Sequence, residues 1–193
     1  MHTASSAGVP ARTPGIWLLA GAALLGGAVA VALGVYSAKH KPAGQAYFTL
    51  GFSGTLNMKA WLATFVVAFA IVQVVLALWM YGKLPGFRLT PPWVGSAHQL
   101  VGMLAFVTSL PVAYHCLWSL GFESDTASTR RFVHSVLGCA FYGAFTTKMV
   151  CVRSHRMPQW ALPVLGGLVF TILVALWLTS SLWFFDHVGF PSF

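Results

Sequence analysis

The chain is 193 residues long, 58% hydrophobic and only 7% charged, which leaves too little polar surface to keep a domain of this size in water. A formal charge of +8 at pH 7 would suit a nucleic-acid binder, but the Lys and Arg stand at segment ends and form no basic stripe. That excludes the class and leaves them as topology and headgroup anchors. Cys116, Cys139 and Cys151 show no CxxC spacing and no even-numbered framework, so they are expected to be small packing residues.

Residues 1–15 are small and polar and read as a disordered tail. Residues 16–35 are uncharged, and at ~1.5 Å per residue they suffice to cross a ~30 Å hydrocarbon core. The run is longer than the apolar stretch of a signal peptide, and Tyr36 is a poor cleavage residue, so it is read as the first transmembrane helix. Its small residues, among them Gly21, Ala22, Gly26, Gly27, Ala30 and Gly34, permit close helix approach. Residues 36–58 mix glycines with Phe48, Phe52 and Lys39-His40-Lys41-Pro42 and are expected to form an ordered interfacial loop that caps a site. The second helix, 60–81, carries Trp61, Trp79 and Tyr81 as an aromatic belt, with Gln73 expected to hydrogen-bond between helices.

Pro85, Pro91 and Pro92 bar a helix from 82–94. The third helix spans 96–120 with Pro111 inside it, and the fourth 131–152, with Arg153-Ser-His-Arg156 able to extend it by a turn before Met157-Pro158. The fifth spans 162–185, and 186–193 is a short tail. With the N-terminus cytoplasmic, six cations (Arg12, Lys83, Arg88, Lys148, Arg153, Arg156) lie inside and five (Lys39, Lys41, Lys59, Arg130, Arg131) outside. That count sets the expected orientation in the cell membrane. All three acids, Glu123, Asp125 and Asp186, would then be external.

An ionisable side chain inside a membrane marks a candidate site. Helices three and four are joined by a short polar loop and should be antiparallel neighbours. His115, near the end of helix three, and His134, near the start of helix four, then sit at matched depth. Two neutral imidazoles across an interhelical groove can serve as the axial ligands of a haem iron. Gly138, a turn beyond His134, removes a side chain where a porphyrin edge would lie. Tyr114, Trp118, Phe132, Phe141 and Tyr142 offer flat walls, and Arg130 and Arg131 stand where propionates would end. Against this stand ordinary hydrogen bonding of both histidines to the helices, and a proton relay. Pro111 either aims His115 into the groove or is an ordinary kink.

His98, with Gly102 one turn on, lies at the other end of helix three, ~25 Å and roughly 100° from His115. Cys151 is level with it on helix four, and His155 is a turn further out. A second haem between His98 and His155 requires helix four to reach Arg156; Met149 and Lys148 are weaker partners. His40 and His187 are expected at the surface.

The HxxxG contexts, His98/Gly102 and His134/Gly138, in a small bundle resemble the transmembrane b-type cytochromes of the cytochrome b-561 and ferric-reductase-like groups. This resemblance covers helices two to five and implies haem b and transmembrane electron transfer. The b-561 kind usually presents four ligand histidines on four successive core helices, whereas here helix two has none and helix five none inside the membrane. The run Leu110–Phe122, with His134–Phe145, is also similar to an uncharacterised actinobacterial membrane-protein family, from helix one onward, which brings no activity with it.

The sequence thus reads as an all-α, five-span membrane protein, helices two to five forming a bundle and helix one packed outside. The expected function is electron passage by b-type haem, with a non-catalytic accessory or assembly subunit as the alternative. No nicotinamide or flavin domain follows the membrane part, so separate partners would deliver and collect electrons. Copper or proton transport finds too few Met and Cys side chains, and no Ser or Cys has an adjacent base in sequence for nucleophilic catalysis.

Overall fold

A computed structural model describes residues 14–45, 47–87, 89–122, 128–154 and 156–190. Five helices long and apolar enough to cross a membrane run alternately up and down. They are α1 (Pro14–Lys39), α2 (Thr55–Met80), α3 (Trp93–Tyr114, continued by a π-helical turn His115–Leu120), α4 (Thr129–Val152) and α5. The last spans Ala161–Trp177, a second π-helical turn Leu178–Leu182 and a final α-turn Trp183–Val188. The described residues contain no strand, and the protein is all-α.

The helices overrun the apolar runs that announce them. α2 starts at Thr55, where the Met58 N–H reaches the Gly54 carbonyl at 3.0 Å. Apolar length tracks hydrocarbon thickness, whereas a helix ends where its hydrogen bonds end. α4 shows the reverse. It stops at Val152, where the N–H groups of Arg153 and Ser154 both turn back to the Cys151 carbonyl. The extension to Arg156 is not made, and Arg12, Arg88, Glu123, Asp125 and His155 lie outside the described residues.

Packing pairs α1 with α4, α2 with α3 and α4 with α5 along their lengths. α1 and α4 meet glycine to glycine. A Cβ at Gly26 would collide with the Gly143 carbonyl and the Thr147 hydroxyl, and one at Gly143 with Gly26 and Ala30. The Thr147 hydroxyl lies 3.2 Å from the Ala22 carbonyl and 3.0 Å from its own helix at Gly143. Cys151, fully buried with Ala22 and Leu165, packs beneath this contact. Helix one is thus held by α4 alone for most of its length, through only part of its glycine set, since Gly21 and Gly27 face open space. Gly143→Leu is expected to cost about 1–3 kcal/mol by overpacking this contact, read as a lowered melting temperature in detergent. Gly27→Leu is the control.

Between α2 and α3, Gln73 Nε2 donates to the His98 carbonyl, the interhelical bond expected of it. Gly102 lets α3 close on that amide, since a Cβ there would stand 3.3 Å from Gln73 Oε1. Trp177 Nε1 donates to Thr64 Oγ1 at 2.9 Å and ties α5 to α2. Val66, Ala70, Phe141 and Leu173 form the buried centre.

α3 and α4 touch differently. Their backbones stay apart, and large side chains bridge the gap at mid-depth. Phe106 stacks on Phe145 at 4.7 Å between centroids, and Ser109 Oγ meets Tyr142 Oη at 3.1 Å. Toward the end where α3 finishes and α4 begins, no described residue fills the gap. The loop after α1 closes over that end. The N–H groups of Ala43 and Gly44 donate to the carbonyls of Trp118 (3.0 Å) and Ser119 (3.2 Å), capping acceptors that the end of the helix leaves without an intrahelical donor. Gly121, at φ +73°, lets the chain turn away beneath Pro42.

Candidate functional site

The unfilled gap is a cavity of about 440 Å³ between α2, α3, α4 and α5, touched on one side by α1. That is the size of a small-ligand or cofactor pocket. Both π-helical turns border it. Such turns insert one extra residue into a helical circuit, and they concentrate at functional sites. In the first, the Gly121 N–H reaches the Cys116 carbonyl at 3.0 Å, five residues back, one turn after Pro111 interrupts the donor series of α3.

The turn decides which residues face the gap. Cys116, Leu117 and Leu120 line the cavity, and His115 does not. His115 is fully buried beneath the loop, with the Phe48 ring edge-on at 4.6 Å and its Nδ1 3.1 Å from Ser119 Oγ. Its Nε2 has no hydrogen-bond partner. Tyr114 and Trp118, expected as cavity walls, instead stack on each other at 5.4 Å, and Tyr114 on Phe48 at 5.5 Å, in the same roof. Phe132 turns to Phe122, at 6.1 Å. Of the expected flat walls, Phe141 and Tyr142 line the cavity.

His134 does face the cavity. Its Nδ1 lies 3.0 Å from Thr179 Oγ1. The one proton of that hydroxyl is directed at the helix carbonyls of Ala175 (2.8 Å) and Leu176 (3.1 Å). Thr179 therefore accepts from His134, an arrangement that requires the imidazole proton on Nδ1. The second π-turn supplies this hydroxyl. It also supplies the Thr179 carbonyl that accepts from Arg130, whose guanidinium lies 3.8 Å above the Trp183 ring. Arg130 and Arg131 both line the cavity, and no carboxylate does among the described residues.

Gly138, one turn from His134, is open: a Cβ there would meet no atom within 4 Å. Ser181 Oγ, on a residue 1% exposed, lines the cavity without a partner. Lys59 lines it from α2. Cys116 lines the cavity together with His134 and Lys59, a placement its sequence gave no sign of beyond standing next to His115.

The other histidines lie elsewhere. His98 and Gly102 are at the far end of α3 against Gln73, with His98 Nδ1 buried and unpartnered and Lys148 the neighbouring cation. His155 is outside the described residues, so no second ligand pair is assembled among them. His40 stacks on Tyr36 at 5.2 Å, and exposed His187 on Trp183 at 4.4 Å. The described residues contain no group of three or more His, Cys, Asp or Glu placed to hold a metal ion.

A family model described as a family of unknown function (DUF6529) matches residues 19–192. No curated protein and no solved structure matches the chain.

Proposed function

Because the chain belongs to the DUF6529 family, whose function is unknown, the cavity itself must carry the reading, and we propose that it holds a b-type haem through which the protein passes electrons across or within the membrane. The observation that carries this is His134. Among the histidines of the described residues it alone lines the intramembrane cavity, with its Nδ1 held against the Thr179 hydroxyl. Histidines that bind metals usually donate their other N–H to a fixed acceptor in this manner, which sets ring orientation and raises basicity. Gly138 leaves room beside the imidazole, and Arg130 and Arg131 supply the positive charge that propionates require in a low-dielectric setting.

His115 fits such a group by chemistry but not by position. Its Nδ1 is engaged by Ser119 and its Nε2 is buried and unpartnered, yet Phe48 covers it on the loop side and it lines no part of the cavity. Haem supplies reversible one-electron chemistry when bound. The chain's own residues hold it, neutralise its acids and exclude water. With the N-terminus cytoplasmic, the cavity end faces the outside of the cell membrane, and separate redox partners deliver and collect electrons.

The test is a reduced-minus-oxidised spectrum and a pyridine haemochrome assay on the full chain purified from haem-replete cells. A Soret band at one haem per chain supports the reading. Absence of both signals, with no uptake of added hemin, removes it in favour of an accessory subunit.

A further inference from the structure

We infer that the cavity takes a single-chain anionic amphiphile, a molecule of the fatty-acid kind whose acid head sits with Lys59 and Arg130 and whose apolar chain runs toward the middle of the bilayer. This goes beyond the haem reading and does not depend on it. Two helices that begin at this end bring the cations: Lys59 stands in the second turn of α2 and Arg130 in the first turn of α4, and both line the cavity. Neither is in an ion pair among the described residues, and no described carboxylate lines the cavity. Cations in a low-dielectric wall without an acid call for an anion from outside. The Thr179 carbonyl engages one arm of the Arg130 guanidinium, and the planar fork keeps further donors. Ser181, toward the same end of α5, is 1% exposed and lines the cavity, and its Oγ has no partner among the described residues. A hydroxyl is rarely left so inside a membrane unless a ligand or water completes it, and as a donor it suits an acid oxygen.

The far end of the cavity is apolar. At ~1.5 Å of rise per residue, Val66 lies ~10 Å beyond Lys59 along α2, Phe141 ~16 Å beyond Arg130 along α4, and Leu173 ~12 Å back from Ser181 along α5. These three line the cavity and belong to the buried centre of the bundle, so they form its floor. The hydroxyls at that depth, Ser109 and Tyr142, are turned on each other at 3.1 Å. Polar groups spread around a wall suit a sugar or a nucleotide, whereas cations at the mouth over an apolar floor suit a head and a tail. A volume of about 440 Å³ stands near the lower end of small-ligand pockets, which gives room for one chain and not for a two-chain phospholipid. Haem, an apolar body with acids along one edge, fits the same layout, so the two guests are expected to compete.

The test uses the full chain in phosphatidylcholine nanodiscs with an ionised fatty acid that carries a mid-chain diazirine, photolysed and mapped by mass spectrometry. Crosslinks are expected on the floor, around Val66, Phe141 and Leu173, and excess oleate should remove them while those to the exposed Leu24 of α1 remain. Oleyl alcohol is expected to compete at least about tenfold less well than oleate, and Lys59→Gln to weaken oleate to a similar degree. The alcohol comparison needs no variant and holds even where a substitution disturbs folding. Absence of floor crosslinks, or floor crosslinks that oleate leaves in place or that the alcohol removes equally well, overturns the inference. So does their loss when phosphatidylglycerol replaces phosphatidylcholine, which assigns the site to a two-chain lipid. Hemin added to the same discs separates this site from the haem reading. Oleate-sensitive floor crosslinks without hemin binding remove the haem and leave the amphiphile, and hemin binding without such crosslinks does the reverse.

Discussion

His134→Ala is expected to abolish haem binding, with no Soret band in purified protein and no spectral response to added hemin. Among the histidines of the described residues, only this one lines the cavity. Thr179 fixes its tautomer, so Thr179→Val should act through it: the imidazole stays, its orientation and basicity are lost, and hemin affinity falls about 10–100-fold. Neither change removes the Arg130 contacts to the Thr179 carbonyl and Trp183 ring, which hold α4 to α5. Thermal unfolding should therefore change far less than haem content. A His134→Ala protein that still shows the wild-type spectrum would place the haem elsewhere.

Gly138→Phe is expected to have an effect of the same size by a different route. A Cβ at Gly138 meets nothing within 4 Å, so the first carbon is accommodated and the ring beyond it takes up space in the cavity that Gly138 lines. Replacing a helix-interior glycine by phenylalanine also recovers a few tenths of a kcal/mol of helix propensity, about half of the gain for alanine. The expected outcome is a melting temperature equal to or above wild type together with lost hemin uptake. Since loss of binding and loss of fold usually travel together, this combination isolates the cavity as the binding place. Retained hemin binding at wild-type affinity would show that the guest sits elsewhere.

Depth along each helix was legible in the residues, and direction around each helix was not. Counting ~1.5 Å per residue from the ends of α3 and α4 brings His134 and residues 115–116 to one level, because rise is nearly the same in every helix. Which of His115 and Cys116 faces the gap depends on rotation about the axis. One residue is 100° there, and the π-turn after Pro111 resets the count. Residue spacing does not signal a π-turn, so by sequence the Cys116 thiol reads as packing and the His115 imidazole as a haem ligand. Tyr114 and Trp118, expected as cavity walls, instead join the roof with Phe48, which lies in the loop expected to cap a site. Gln73 was easier. A lone amide in an apolar helix must find a partner on a neighbour, and the His98 carbonyl is that partner.

The glycine contact between α1 and α4 has a consequence for how the protein is made. The Thr147 hydroxyl and the Ala22 carbonyl it contacts are 125 residues apart in the chain. α1 therefore enters the bilayer with no protein against its glycine face, and lipid must cover that face until α4 has been synthesised. α2 and α3, consecutive and packed along their length, can meet as soon as the second of them emerges. If helices pack in the order in which they are made, the α2–α3 hairpin forms before α4 brings its arginines and His134 to the cavity, and α5 closes it last.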